Sequence, residues 1–318
     1  MADEFWRHFL PYGLGQDFEW ASYAAGRLIA VGRNKAALEL LNLYLREEQG
    51  VEVAELIATG LENLLEQDAP DVGRLDRHDI LQLFEFLQSS ELEWQRVARL
   101  EWSYASALDF EGRLTTLHRL MSEDPAFFVE LISRVFRASD EPRDDDVEVP
   151  GETARIATNA YRVLSHWQRP PGLTSEGTID GDLLNEWVER ARELLAKARR
   201  LDIGDVHIGK VLAHSPPDED GVWPSRAVRA LLETLQNDKI EEGLQTNVHN
   251  QRGVTTRGLT EGGVQERDLV RKYREEAARL SDEWPRSAAI LREIADDYER
   301  EARRSDEDAE RFRRGFER

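Results

Sequence analysis

Apolar residues recur at every third or fourth position along most of this chain. This spacing places them on one face of an α-helix, which has about 3.6 residues per turn. The first clear stripe consists of Phe18, Ala21, Ala25, Leu28 and Ile29. No run of alternating apolar and polar residues indicates a β-strand. The periodicity therefore predicts an all-α protein.

Helix start and stop signals divide the first half of the chain. Residues 17–46 are predicted to form an antiparallel helical hairpin, because Gly32 supplies a stop and Asn34 a new N-cap. The clearest start is Asp124-Pro125, where a capping residue precedes proline at the first helical position. Further helices are predicted at 52–66, 77–89, 91–108, 113–121 and 124–137.

The second half carries stripes of the same kind. Gly204 and Gly209 weaken the helical pattern at 203–213. Trp284-Pro285 separates two long stripes, which predict a closing helical hairpin. The helices predicted in this half follow the stripes at 156–167, 184–198, 203–213, 225–236, 264–283 and 286–314.

Helices that pair through short turns, with one pair in about 35–40 residues, are typical of an α-solenoid whose repeats have diverged. An irregular bundle explains the same pattern. The expected fold is therefore a set of stacked helical hairpins, either α-solenoid-like or an irregular bundle, with a long hairpin at the carboxyl end.

An acidic, proline-containing stretch at 139–151 has almost nothing to bury, and its like charges repel each other. We expect it to be an exposed linker. It would separate a helical-repeat-like domain at 1–138 from a second helical domain at 152–318. The run Asp144-Asp145-Asp146 lacks the glycine and the distal glutamate of a calcium-binding loop, so a solvated linker is the preferred interpretation.

The charge and composition exclude several classes of partner. A formal net charge of −21 repels nucleic acid and anionic membrane surfaces. The chain has no cysteine, which fits a reducing compartment. Its amino terminus lacks the features of a secretory signal, and no apolar run approaches the roughly 18 residues of a membrane span. We expect an acidic, soluble protein in the cytoplasm.

No catalytic signature interrupts the helical pattern. The histidines do not show a metal-binding spacing, and no nucleophile elbow, P-loop or dinucleotide fingerprint occurs. Ser165 and His166 are neighbours within one helical stripe, where their side chains point apart. We therefore expect a protein that is not an enzyme and that uses neither a cofactor nor a metal.

Residues 245–263 are the least helix-like part of the sequence. This segment is long for a connector between helices and rich in hydroxyl groups and glycine, and long connectors of this kind are commonly functional. Its arginines could hold an anion or a partner carboxylate. Alternatively, they pair with carboxylates of this acidic chain. The candidate partner-binding residues are His249, Arg252, Thr255, Thr256 and Arg257.

Several short pieces of the chain resemble the end of large bacterial multidomain proteins. They include Gly253–Leu259, Glu261–Arg267, Trp284-Pro285-Arg286 and Val206–His214. The function of those proteins is not established, and some are associated with antiphage defence. The resemblance implies that this chain is a helical sensor or recognition region of a longer bacterial protein.

The expected function is that of a non-enzymatic helical scaffold or sensor region that binds a protein partner, through the inner surface of its stacked helices or through residues 245–263. Two alternatives remain open. One is an oligomerising structural subunit of a larger complex, which would form a homo-oligomer. The other is an enzyme with an unrecognised polar cleft near His207, His214 and Arg257.

Overall fold

Fifteen α-helices and no β-strand make up the part of the chain that the structure, a computed structural model, describes. The described residues are 2–10, 18–45, 50–66, 75–108, 113–140, 151–253, 258 and 261–316. Within them, the one β-like feature is an isolated antiparallel bridge between Leu173 and Ile179. The all-α prediction is confirmed. None of the described helices combines the length and the apolar character that crossing a membrane requires.

The helices follow the predicted stripes closely in most places. In chain order they are α1 (Ala2–His8), α2 (Phe18–Ala30), α3 (Asn34–Asn42), α4 (Val51–Glu66), α5 (Arg77–Ser89), α6 (Trp94–Tyr104), α7 (Thr115–Glu123), α8 (Pro125–Val135), α9 (Gly151–Ser165), α10 (Gly181–Lys197), α11 (Leu201–Leu212), α12 (Arg226–Leu235), α13 (Asp238–Gln251), α14 (Val264–Leu280) and α15 (Pro285–Phe316).

The chain divides into two compact units whose boundaries differ from the predicted domains. The first unit consists of Met1–Leu120 and Gly151–His166, and the second of Met121–Pro150 and Trp167–Arg318. Thus α8 groups with the second unit, because it packs against α10 and α11, and α9 groups with the first. Most of the predicted linker, residues 141–150, lies outside the described residues.

In the first unit, each helix from α2 to α6 packs against its neighbours in sequence. The predicted α2–α3 hairpin is present, and Gly32 adopts a φ of 80° at its turn, in the left-handed region that glycine tolerates best. Helix α4 packs on both members of this hairpin, and α5 and α6 pack on α4. This order of contacts is the one expected of stacked helical hairpins.

The start of α3 differs from the prediction at Asn34. Arg33, not Asn34, occupies the N-cap position, and Asn34 is the first helical residue. The Asn34 side chain is buried, and its Oδ1 accepts a hydrogen bond from Asn63 Nδ2 of α4 at 3.2 Å. A contact with another helix has therefore taken the side chain that would otherwise cap this one.

A buried carboxylate from α6 caps the start of α7. Glu101 is fully buried, and its oxygens accept hydrogen bonds from Leu117 N at 2.7 Å, Thr116 N at 3.3 Å and Gln88 Nε2 at 2.7 Å. The first N–H groups of a helix have no partner within the helix, and they favour a negative charge. Burial raises the pKa of Glu101, and these hydrogen bonds oppose that rise.

The predicted start of α8 is confirmed in the second unit. Asp124 Oδ1 accepts hydrogen bonds from Ala126 N at 2.9 Å and Phe127 N at 3.4 Å, and Pro125 opens the helix. Behind this cap, the Phe128 ring packs against Trp167 and Trp187, with ring centroids 5.4 and 5.2 Å away. The start of α8 is therefore anchored to the core of its unit.

Helix α13 was missed, and the predicted loop at 245–263 is wrong over residues 245–251, which are helical. The reason lies in the helix that α13 packs against. A Cβ atom on Gly209 of α11 would lie 1.9 Å from Ile240 O, and one on Gly243 of α13 would lie 1.9 Å from Val206 O. Only glycine permits this approach. Gly209 and Gly243 weaken the helical pattern of α11 and α13, but they allow the backbones of these two helices to come into contact.

The predicted closing hairpin is confirmed as α14 packed along α15. Carboxylates from other helices hold both helix starts. Glu233 of α12 accepts hydrogen bonds from Ser287 N at 2.9 Å and Arg286 N at 3.2 Å at the start of α15. Asp306 of α15 accepts one from Gly263 N at 2.9 Å, directly before α14.

The glycine contact predicts the effect of Gly209→Ala. The added methyl group cannot fit beside Ile240 O, so we expect the free energy of unfolding to fall by about 3 kcal/mol or more, despite the better helix propensity of alanine. Urea denaturation measures the loss. Gly26→Ala is the matched control, because its Cβ would lie 3.7 Å from Leu56 Cδ2. Equal stability of the two variants would contradict the contact.

The buried cap predicts a loss of about 2–4 kcal/mol for Glu101→Ala, because two backbone N–H groups at the start of α7 lose their acceptor away from water. Glu101→Gln keeps one oxygen acceptor and should lose less. Glu85→Ala, at an exposed position of α5, serves as the control and should change stability by less than about 0.5 kcal/mol. Thermal and urea denaturation of the three variants test this order.

Candidate functional site

A cavity of about 370 Å³ opens in the second unit. It lies between the start of α8, the segment that precedes α10, and the outer face of α10 itself. Its apolar lining comes from Pro125, Leu173, Leu183 and Trp187. A concave, partly apolar site of this size is the usual form of a ligand or side-chain pocket.

The floor of the cavity is fixed by Trp187. This side chain is buried, and its Nε1 donates a hydrogen bond to Met121 O at 3.1 Å. Its ring packs against Trp167 with a centroid distance of 5.7 Å, and Trp167 Nε1 lies 3.4 Å from Ser122 Oγ. Ser122 Oγ in turn donates to Arg169 O at 2.6 Å. Contacts within the chain therefore hold the floor of the cavity in place without a ligand.

The wall opposite α8 is a tight turn of backbone. Gly172 has a φ of 75°, and a Cβ at this position would lie 2.6 Å from Asp180 O. Arg169 donates a hydrogen bond to Leu173 O at 2.8 Å across the turn. Asp180 then caps α10 by accepting from Asp182 N and Leu183 N. The turn and the helix that follows it are thus held in a fixed relation.

The outer face of α10 forms the rim. Leu183, Glu186 and Arg190 lie three and four positions apart, on one side of the helix. Leu183 is 55% exposed at the mouth of the cavity. Arg190 pairs with Glu193 at 2.8 Å, whereas no described side chain pairs with the exposed Glu186 carboxylate. The rim therefore presents an apolar side chain next to a free negative charge.

The lining combines apolar side chains with a few charged ones. The cavity has no histidine or tyrosine in its lining, and its two arginines are engaged with Leu173 O and Glu193. Across the described residues, no group of three or more histidine and acidic side chains is placed to hold a metal ion. The apolar floor and polar rim match the layout of a protein-binding pocket.

The structure places two of the five predicted partner-binding residues in contacts within the chain. Arg252, at the end of α13, pairs with the buried Glu266 and lies 3.3 Å from Glu301 Oε2. His249 Nε2 lies 3.5 Å from Asp297 Oδ2, and burial lowers the His249 pKa. For Arg252, the alternative interpretation of pairing with the chain's own carboxylates fits this geometry.

The other three residues of that predicted site lie outside the described residues. They are Thr255, Thr256 and Arg257. A partner-binding role for them stays a prediction.

The histidines of the proposed enzyme alternative are both packed against neighbouring helices. His207 is 3% exposed, its ring lies 5.3 Å from the Phe136 ring, and burial lowers its pKa to about 3. His214 lies between two amide side chains of α13, 2.9 Å from Asn247 Nδ2 and 3.2 Å from Gln251 Nε2. Burial lowers the His214 pKa to about 4. Both are neutral at pH 7.

The sequence did not predict the cavity, although two features of the sequence point to it. The turn Arg169-Pro170-Pro171-Gly172 is rigid by composition, and it forms part of the wall. Leu183 lies beside Leu184, the buried start of the α10 stripe, so the two leucines must point in different directions on a helix. An apolar residue off the stripe is a signal of an exposed contact.

Comparisons with known proteins add no relative to this description. No protein-family model, no curated protein and no solved structure matches the chain.

The buried histidines predict a dependence of stability on pH. Their pKa values in the folded state lie below the unfolded value of about 6.5, so the unfolded state takes up protons first as the pH falls. Each should lower the free energy of unfolding by up to about 1.4 kcal/mol per pH unit, from pH 6.5 to about 4 for His214 and to about 3 for His207.

The variant His214→Gln removes one histidine contribution and leaves the carboxylates in place. Carboxylates with raised pKa values act in the opposite direction, because they favour the folded state as the pH falls. From urea denaturation between pH 6.5 and 4, the slope of the free energy of unfolding against pH should be less positive for His214→Gln than for the wild type. His78→Gln, at an exposed position of α5, should keep the wild-type slope. A slope unchanged by His214→Gln would count against burial of a neutral imidazole.

Proposed function

We propose that this chain is a non-enzymatic helical scaffold that binds a protein partner, and that an apolar side chain of the partner enters the cavity beside α10. One observation carries the proposal. The cavity combines a volume of about 370 Å³ and a buried tryptophan floor with an exposed leucine at its mouth. A solvent-exposed leucine gains free energy when a partner covers it.

The size and lining of the cavity support an apolar anchor. Binding energy in protein interfaces concentrates where one large side chain fills a well-packed pocket and loses contact with water. Trp187 and Leu173 offer such a side chain apolar contact, and the exposed charged side chains of Glu186 and Arg190 lie at the rim. An interface with this layout is apolar at its centre and polar at its edge.

The rigidity of the cavity also supports binding. The floor is fixed through Trp187 and Ser122, and the wall through Gly172 and Arg169. Little conformational freedom is then lost when a partner enters, and this preserves affinity.

We further propose a setting for this scaffold. A chain without cysteine and with a net charge of −21 suits the reducing cytoplasm and a partner that is not nucleic acid. A place as the recognition region of a bacterial antiphage-defence protein is supported by the resemblance of the segments around Gly253–Leu259 and Trp284-Pro285-Arg286.

Selection from a phage-displayed library of random peptides tests the binding function. We expect peptides with a shared apolar residue to be enriched on the wild-type chain, and Leu183→Asp to weaken their binding about tenfold or more, because a charge replaces the apolar surface at the mouth. Fluorescence anisotropy of labelled peptides measures the affinities.

Val264→Asp provides the matched control. Val264 is 50% exposed in the same unit, and both substitutions place aspartate in the first turn of a helix, where it favours helix formation. Peptide binding should survive in this variant. Failure to enrich any peptide, or equal binding by Leu183→Asp and the wild type, would contradict the proposal.

A further inference from the structure

We infer that the segment entering the cavity is basic: an apolar anchor residue occupies the cavity, and a nearby lysine or arginine of the same segment binds the Glu186 carboxylate. This inference rests on the proposed function, because it names the chemistry of the partner for the same site. It follows from the charges that the rim leaves available.

The cationic groups of the lining are already engaged. Arg190 NH1 lies 2.8 Å from Glu193 Oε2, and Arg169 NH2 donates to Leu173 O at 2.8 Å. Glu186 is exposed and pairs with no other side chain among the described residues. An incoming segment therefore meets an unpaired negative charge at the rim, whereas Arg190 is paired with Glu193 and Arg169 is held by a backbone carbonyl.

The position of Glu186 places this charge directly beside the anchor site. Glu186 follows Leu183 by three residues on α10, and side chains so spaced are neighbours on a helix, with Cβ atoms about 5–6 Å apart. A cationic side chain within a few residues of the anchor can therefore reach the carboxylate. Its aliphatic stem would cover part of the exposed Leu183 side chain.

The charge of the whole chain acts in the same direction. A net charge of −21 attracts a basic segment and repels an acidic one over the length at which salt screens charges, about 8–10 Å at physiological ionic strength. Charge complementarity of this kind raises association rates and excludes wrong partners more than it raises affinity. The cavity thus selects for size and the rim selects for charge.

A set of three synthetic peptides tests the inference on the full chain. All carry the same central leucine, flanked on both sides by lysine, glutamine or glutamate. We expect the lysine peptide to bind the wild type about threefold to fivefold more tightly than the glutamine peptide, and the glutamate peptide to bind most weakly. Fluorescence anisotropy at low and high salt measures the affinities, and high salt should reduce the differences.

Variants of α10 locate the charge that is responsible. Glu186→Gln should remove most of the advantage of the lysine peptide, and Glu186→Lys should reverse the preference. Glu189→Gln is the matched control, because it removes the same charge from an exposed position of the same helix that does not line the cavity. It should leave the preference for the lysine peptide in place.

The outcomes separate this inference from the proposed function. Equal binding of the three peptides to the wild type, with loss of all binding in Leu183→Asp, would overturn the basic partner and leave the scaffold function standing. A lysine preference that survives in Glu186→Gln would overturn the role of Glu186. If no peptide binds the wild type, the proposed function fails and the inference fails with it.

Discussion

The close backbone contact of α11 with α13, which Gly209 and Gly243 permit, is the constraint on which the second unit depends. Each glycine admits a carbonyl oxygen of the other helix to a position where a Cβ atom would lie 1.9 Å away. Because α11 also packs on α8 and α10, and α13 on α15, the contact joins the cavity-bearing helices to the closing hairpin. Two residues that weaken isolated helices thereby set the spacing of α11 and α13.

Some acidic side chains in this protein cap the starts of helices. Glu101, Glu233 and Asp306 each accept backbone hydrogen bonds at the start of a different helix, and none belongs to the helix that it caps. Carboxylates at these positions satisfy unpaired N–H groups and oppose the positive end of the helix dipole. These acidic residues therefore stabilise the architecture.

The helical hairpin of α2 and α3 and the cap at Asp124 could be predicted because both depend on residues close together in sequence. Helix α13 could not, because its core residues Ile240, Leu244 and Val248 are few, and a glycine lies among them. The cavity escaped prediction for a related reason. Its lining comes from three chain segments, and contacts between residues far apart in sequence, such as those of Trp187 and Ser122, bring them together. Signals from residues close together in sequence predict individual helices. Contacts between helices decide whether a helix with a weak signal forms.

Under the proposed function, helix α10 divides its surface between core packing and partner binding, and this division limits how the protein can evolve. Trp187 belongs to the packed core as well as to the cavity floor, so a change there alters stability and binding together. Leu183 and Glu186 bear on the cavity while remaining exposed, so they can be exchanged with little effect on folding. New binding specificities should therefore arise at the rim, where substitutions cost little folding stability. The residues of the floor should change little among descendants of this chain.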